Sequence, residues 1–253
     1  IPYPFQAGRY GVDGMTLVYI PAGTFEMGSE EGNPDQAPVH TVSLDAFWID
    51  ATEVTNAMFA KFLNASGNQT EGGVTWLDAQ NPSVFIANVD GVWQAREEFA
   101  EFPVVGVSWY GANAYCTWAG RSLPSEAQWE FAARGNTGFR FPWGDSDLSC
   151  DYARYAGCGN SPVQTASLTL GQSPFGLFEM AGNVAEWVND RYAADYYDQS
   201  PALNPMGPSN GYYRVFRGGY FGSSYIALQP VHRDWAGADT RESFIGFRCG
   251  INP

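Results

Sequence analysis

The sequence predicts an α+β fold with short antiparallel sheets, two main helices and much irregular loop. Short apolar runs rich in β-branched residues near the start are typical of strands, and two capped apolar segments in the middle are typical of helices. The 29 Gly and 16 Pro among 253 residues indicate many turns, while 45% hydrophobic and 16% aromatic residues supply a core. We expect one domain over residues 1–253.

Strand patterns dominate the first part of the chain. Met15–Phe25 and Thr41–Ile49 alternate or run apolar, and the acidic, turn-rich segment Ser29–Pro38 between them is typical of a loop. Further on, Val84–Ala87 and Val92–Ala95 flank an Asp-Gly pair, the commonest short hairpin signal. We therefore expect two strand regions followed by a β-hairpin.

Three segments carry helix signals. Each begins with a Thr or Ser whose side chain can cap the first turn. Their predicted bounds are 55–63, 108–119 and 125–135, and the last two are the main helices. In the third, Ser125 and Gln128 form a capping box, and a glycine ends the segment. The long stretch 141–173 is expected to be a loop.

The charge of the chain excludes several partners. Asp and Glu outnumber Lys and Arg by 27 to 13, giving a net charge of −14, which repels nucleic acid and anionic membrane surfaces. No apolar run approaches the roughly 18 residues of a membrane span. The chain starts at Ile1 without a methionine, so we expect a processed product or an excised domain, and a missing N-terminal partner domain stays an open alternative.

The four cysteines favour disulfides over a zinc site, because no CxxC spacing is present. Cys150 and Cys158 flank a short loop and could close it. Cys116 lies in an apolar helical pattern and Cys249 ends an apolar strand, so this second pair is either bonded or two buried thiols. Disulfides imply an oxidising compartment or a hyperthermophile cytosol, and we favour an extracellular or cell-surface location.

The segment GLFEMAGNVAEWVND offers hard oxygen atoms within one tight turn. The carboxylates of Glu179 and Glu186, the carbonyls near Gly182 and Val184 and the side chain of Asn183 suit Ca²⁺. The alternative is an ordinary surface turn with two solvated glutamates.

Seven segments together resemble the formylglycine-generating enzyme (sulfatase-modifying factor) family, in order, from about Met15 to Gly250. They are MTLVYIPAGTFEMGS, PVHTVSLDAFWIDATEVTNAMFAKF, PVVGVSWYGANAYCTWAGRSLPSEAQWEFAARG, FPWG, GLFEMAGNVAEWVND, RVFRGGYF and GFRCG. The resemblance implies a variant of the C-type lectin fold and a disulfide between Cys116 and Cys249. It also implies a structural Ca²⁺ on Glu179, Gly182, Val184 and Glu186, where Glu179 replaces the usual Asn or Asp.

Two branches of this family are enzymes whose chemistry we do not expect here. The resemblance implies that formylglycine-generating enzymes use a cysteine pair shortly after an RGGS segment, because two thiolates bind copper(I) and the substrate thiol. Between Gly219 and Arg248 this chain has no cysteine. The sulfoxide synthases, a related branch, use an iron site built from three histidines. This chain has only His40 and His232, and His40 matches a structural histidine position of the family.

The stretch 214–249 resembles a third branch, the variable proteins of diversity-generating retroelements. In that branch, adenine-directed mutagenesis replaces mostly asparagine codons, and the residue types it yields occupy most positions here between the members of a fixed frame. The frame is Arg214, Arg217, Gly218, Gly219, Arg233, Arg241 and Ile245–Arg248, and we call the residues between them the filling, which shows no apolar periodicity. We expect the frame arginines to tie the stretch to the core by hydrogen bonds, and Gly218 and Gly219 to allow close backbone packing. The resemblance implies a non-catalytic protein that binds an unknown protein or cell-surface ligand. The ligand-binding residues it implies are Tyr220, Phe221, Gly222, Ser223, Ser224, Tyr225, Ala227, His232, Asp234, Ala236, Gly237, Thr240, Ser243 and Phe244.

The composition of the filling also favours a binding surface. The run YFGSSY resembles antibody paratopes, in which aromatic residues supply contact area and small residues adapt. We expect the following side chains to lie exposed on one face: Phe221, Tyr225, His232, Phe244, Gly222, Ser223, Ser224, Ala236, Gly237 and Ser243. Two alternatives stay open, namely a drifted relative without assigned function and a related oxidase or other enzyme that has lost the cysteine pair.

Overall fold

The computed structural model describes residues 7–251 and shows a mixed α+β fold of short strands and three α-helices. The strands are β1 Ala7–Tyr10, β2 Thr16–Ile20, β3 Gly23–Met27, β4 His40–Leu44, β5 Phe47–Asp50, β6 Thr70–Glu71, β7 Val74–Thr75, β8 Ile86–Val89, β9 Val92–Ala95, β10 Ala185–Arg191, β11 Tyr213–Arg217, β12 Asp234–Gly237, β13 Ile245–Phe247 and β14 Gly250–Ile251. The helices are α1 Asn56–Ser66, α2 Trp109–Trp118 and α3 Glu126–Arg134.

Two four-stranded sheets organise the described chain. One has the strand order β1-β2-β5-β14 and is antiparallel, and the other has the order β12-β11-β10-β13, in which only β13 runs parallel to its neighbour. The predicted strand region Met15–Phe25 is divided after Ile20, where Pro21 has no N–H to donate to a ladder. Its halves pair with β5 and β4 respectively. The predicted hairpin is confirmed as β8 and β9.

The helix signals act as predicted. The hydroxyls of Thr55, Ser108 and Ser125 each accept a hydrogen bond from a backbone N–H in the first turn, and Ser125 forms the capping box with Gln128. Helices α1, α2 and α3 have 11, 10 and 9 residues. Helix α1 is therefore at least as long as α2 and α3, the two predicted main helices. Within residues 7–251, the helices are too short to span a bilayer.

Both predicted disulfides are confirmed. The bond between Cys116 and Cys249 joins α2 to the chain between β13 and β14, and the bond between Cys150 and Cys158 closes a loop of the long segment after α3. Together they use all four cysteines of the sequence. Two disulfides are compatible with an extracellular or secreted protein.

Candidate functional site

Buried arginines tie the second sheet to helix α3. The Arg217 guanidinium donates to Glu126 Oε1 at 2.9 Å and to Glu130 Oε2 at 2.5 Å. Arg233 forms a two-point contact with Glu126, from Nε at 2.7 Å and from Nη2 at 3.0 Å. Both arginines are almost fully buried, at 1% and 2% exposure. The prediction that frame arginines anchor the stretch to the core is therefore confirmed.

Arg248 anchors the other end of the stretch. Its Nε and Nη2 donate to the two oxygens of Glu186, each at 2.7 Å, and Nη1 and Nη2 also donate to the carbonyls of Asp50 and Phe178. Arg214 lies over the ring of Trp109 at 3.5 Å from its centroid. These charge-assisted bonds fix the backbone on both sides of the filling.

Gly218 and Gly219 carry the chain out of β11. Their φ angles are 92° and 67°, which disfavour a side chain. A Cβ on Gly219 would come within 2.8 Å of the carbonyl oxygen of Ala227, and one on Gly218 within 3.1 Å of the Trp129 ring. The close packing predicted for these glycines is confirmed.

The first part of the filling and the segment before β13 meet at one place. Tyr220 stacks on Phe244 with 4.2 Å between ring centroids, and the Phe221 ring lies edge-on at 5.3 Å from Tyr220. Phe221 N–H donates to the carbonyl of Asn183, which fixes the turn against β10. Gly222, Ser224 and Tyr225 lie exposed beside it.

Phe221 and Ser243 help to line an apolar pocket of about 270 Å³. The other lining residues are Pro82, Ser83, Phe85, Phe99, Phe102, Pro103, Val105, Asn160, Ser161 and Pro162. Phe85 stacks on Phe99 with 3.8 Å between centroids, so one wall is a flat aromatic face. A pocket of this lining suits one apolar or aromatic group of a ligand.

The second part of the filling lies elsewhere. Asp234, Ala236 and Gly237 belong to β12, and Thr240 follows in the next turn. His232 bridges Gln36 Nε2 at 3.3 Å and Asp234 Oδ2 at 3.2 Å. None of these five residues lines the pocket described above. The filling thus divides into two parts. The pocket side comprises Tyr220, Phe221, Gly222, Ser224, Tyr225, Ser243 and Phe244, and the β12 side comprises the five residues named in this paragraph.

The prediction of a fully exposed filling needs correction. Ser223 is buried because its hydroxyl accepts from Tyr220 N–H and its carbonyl accepts from Ala156 N–H inside a turn. Gly237 is buried because it pairs with Tyr213, and a Cβ there would lie 2.5 Å from Asp239 Oδ1. Half-buried positions are Phe221, His232, Ala236, Ser243 and Phe244, whereas Tyr225 is 53% exposed.

Sequence reasoning missed two sets of aromatic residues. The pocket wall of Phe85, Phe99 and Phe102 comes from a segment far from the filling, and no local pattern links the two. Tyr212, Tyr213 and Trp235 lie exposed at the β11–β12 pair, at 67%, 40% and 44%. Trp235 could have been found as a large aromatic residue between frame positions Arg233 and Arg241.

The two carboxylates predicted to bind Ca²⁺ accept hydrogen bonds from other groups of the chain in this arrangement. Both oxygens of Glu186 accept from Arg248, and Oε2 also accepts from Trp129 Nε1 at 2.8 Å. The oxygens of Glu179 accept from the N–H groups of Ala166 and Leu168. Among the described residues, no group of three or more His, Cys, Asp or Glu is arranged to hold a metal. Calcium stays a prediction, tested by the melting temperature with added CaCl₂ or EDTA.

Burial shifts several carboxyl groups near the frame. Desolvation, and then the neighbouring charge of Glu179, raise the pKa of Glu53 well above its usual range. Glu53 Oε1 accepts from Asn183 Nδ2 at 2.9 Å, while Oε2 is buried without a hydrogen-bond partner among the described residues. Desolvation, and then Glu126, raise the pKa of Asp190 to about 8. Protons can therefore neutralise part of this buried charge.

Residues 6–253 match the family of sulfatase-modifying factor enzyme 1-like domains. The serine/threonine-protein kinase pkn1 of Chlamydia caviae is 37% identical over 236 residues, which cover 92% of this chain and 37% of that protein. The formylglycine-generating enzyme of Streptomyces coelicolor is 36% identical over 275 residues, covering 92% of this chain and 88% of the enzyme. The chain thus spans little more than a third of the chlamydial relative.

Two solved structures share the fold. PvdO from Pseudomonas aeruginosa superimposes with a TM-score of 0.78 and 25% identity, covering 98% of both chains. Treponema denticola variable protein 1 gives a TM-score of 0.78 and 23% identity, covering 99% of this chain and all of the other. The predicted fold, a C-type lectin-like arrangement of the formylglycine-generating enzyme type, is confirmed.

Proposed function

The chain belongs to the sulfatase-modifying factor enzyme 1-like family, and we propose that it is a non-catalytic ligand-binding member that displays a diversified surface. One observation carries this proposal: Arg217, Arg233 and Arg248 of the frame are buried in ion pairs, while on the pocket side Gly222, Ser224 and Tyr225 are exposed and Phe221 and Ser243 line the pocket. Arg217 is 1% exposed, whereas Tyr225, eight positions later in the chain, is 53% exposed. A surface of this kind can change its side chains without unfolding the domain.

The apolar pocket supplies an anchor for a ligand. Exposed Tyr225 and Ile226 begin the short 3-10 helix that follows the turn of Phe221, and Phe221 lines the pocket. Aromatic and aliphatic groups that enter such pockets account for most of the energy of many protein interfaces. We infer that a protein or cell-surface ligand places one apolar side chain in the pocket and rests on the exposed turn.

The cysteines support a role without oxidase chemistry. The resemblance implies that the formylglycine-generating enzymes hold copper(I) with a pair of thiolates, and the two disulfides use all four cysteines of this chain. The name of the Treponema neighbour, a variable protein, agrees with a display function, although the likeness to it shows the fold alone.

A second candidate is an enzyme of the family, and the identity to the Streptomyces formylglycine-generating enzyme favours it. Its test is conversion of a cysteine-containing sulfatase peptide, followed by mass spectrometry. Formation of formylglycine would overturn the binding proposal. The genomic arrangement also discriminates, because a near-copy of the coding segment for 214–249 beside a reverse transcriptase gene supports a variable protein, and an adjacent sulfatase gene supports the enzyme.

The binding test uses peptides selected from a displayed library on the immobilised protein. Phe221→Ala removes one wall of the pocket and Ser243→Trp fills it, so we expect selected peptides to bind each variant at least about tenfold more weakly. Phe139→Ala is the matched control, since Phe139 is 37% exposed and does not line the pocket. Equal affinity for the variants of Phe221 and Phe139 would contradict a ligand site at the pocket.

A further inference from the structure

An exposed aromatic cluster covers one end of the second sheet, on the β12 side. Trp235 lies 4.4 Å from the ring centroid of Tyr213 and stacks on Tyr192 at 5.2 Å and 26°. Tyr212 lies edge-on against Tyr213 at 5.0 Å. We call these four residues the aromatic shelf. Aromatic residues left this exposed on a folded domain mark an interaction site more often than isolated apolar residues do.

A recess of about 480 Å³ adjoins the shelf. Four carboxylate side chains line it, those of Glu30, Asp35, Asp195 and Asp198, together with Pro34, Ala37, Pro38 and Ala194. We call it the acidic recess. The shelf and the recess are joined by a hydrogen bond, since the Tyr192 hydroxyl donates to Asp35 Oδ2 at 2.9 Å.

The carboxylates of the recess are not held in salt bridges. Among the described residues, none of the four forms a salt bridge. The Oδ1 atom of Asp35 is buried and has no hydrogen-bond partner within residues 7–251. The Arg233 guanidinium is the cation beside Asp35, but its hydrogen bonds go to the carboxylate of Glu126 and to the backbone carbonyls of Asp35 and Ala193, not to the Asp35 carboxylate. Arg191 donates to the carbonyl of Gly211.

We propose that the aromatic shelf and the acidic recess together dock a basic segment of a partner protein, rich in lysine or arginine. Aromatic faces attract ammonium and guanidinium groups, and unpaired carboxylates bind the same groups through charge-assisted hydrogen bonds. The net charge of −14 attracts such a segment from a distance. This surface shares no lining residue with the apolar pocket, so it goes beyond the function proposed above.

The test measures binding of a fluorescent hexa-arginine peptide to the whole chain. Asp195→Asn with Asp198→Asn removes two charges from the recess, and Trp235→Ala removes the centre of the shelf. We expect each change to weaken binding about tenfold, and Trp235→Phe to restore most of it. The matched control, Asp90→Asn with Asp147→Asn, removes the same charge from exposed positions outside the recess and should change binding less than about twofold.

Three results would overturn the proposal. Equal weakening by the two double variants would show attraction by net charge alone. Unchanged binding by Trp235→Ala, with an unchanged circular dichroism spectrum, would exclude the shelf. Spermine that displaces the peptide at equal concentration would indicate a polyamine site, because spermine carries similar charge without a peptide backbone. The pocket variants of Phe221 and Ser243 should not affect this peptide, which separates this test from that of the proposed function.

Discussion

The frame of residues 214–249 and the pocket side of its filling use side chains in opposite ways. Arg217, Arg233 and Arg248 are polar residues buried against carboxylates, whereas Tyr225 and Ile226 are large residues exposed to solvent. A buried charge requires its partner, because removal of one member leaves the other desolvated and unpaired. An exposed side chain has no such partner. The position of the backbone and the identity of the surface are thus specified by different residues.

The Cys116–Cys249 bond should give the largest effect, because it closes the chain behind the frame over 133 residues. Cys116→Ser with Cys249→Ser should lower the free energy of unfolding by about 5 kcal/mol, against about half as much for the same change at Cys150 and Cys158, which are only 8 residues apart. Urea unfolding of both double variants measures the difference. Equal losses would contradict a special role for the bond beside the frame.

Arg217→Met should give the next largest loss in the free energy of unfolding. It leaves Glu126 and Glu130 without one of their partners in a buried environment, which costs about 3–5 kcal/mol. The control is Arg96→Met, because Arg96 forms an exposed pair with Glu98 at 3.9 Å and such pairs contribute about 0–1 kcal/mol. A loss below about 1 kcal/mol for Arg217→Met would remove the distinction between frame and filling.

Local causes explain what could be predicted from the sequence. The caps at Thr55, Ser108 and Ser125 depend on a few neighbouring residues, and the Cys116–Cys249 pairing followed from the family pattern. The burial of Gly237 could not be predicted, since it depends on the register of β12 against β11. The pocket wall could not be predicted either, because Phe85 and Phe99 meet Phe221 only in the folded chain.

The frame should also respond to pH through Asp190. Its pKa is raised to about 8 in the folded state, against about 3.9 for an unfolded chain, so between these values the folded state holds a proton that unfolding releases. The free energy of unfolding therefore falls as pH rises through this window, by up to about 1.4 kcal/mol per unit. Asp190→Asn retains an acceptor for the Glu126 N–H group and should flatten that slope.

Urea unfolding of both proteins at about pH 5 and about pH 7.5 isolates the contribution, since other buried carboxyl groups such as Asp50 and Glu53 titrate in both. We expect Asp190→Asn to gain stability relative to the wild type at the higher pH. Parallel pH profiles would show that Asp190 keeps an ordinary pKa.

The smallest effects belong to the exposed turn. In a triple variant, Ser224→Ala, Tyr225→Ala and Ile226→Ala should each change the free energy of unfolding by no more than about 0.5 kcal/mol. The reason is that these three residues are exposed. Phe244→Ala should cost more, since Phe244 stacks on Tyr220 and packs against the buried core. Thermal unfolding of the two variants compares them directly. Similar losses would mean that the turn supports the fold as strongly as the half-buried Phe244 does, and the exposed filling would then not be free to vary.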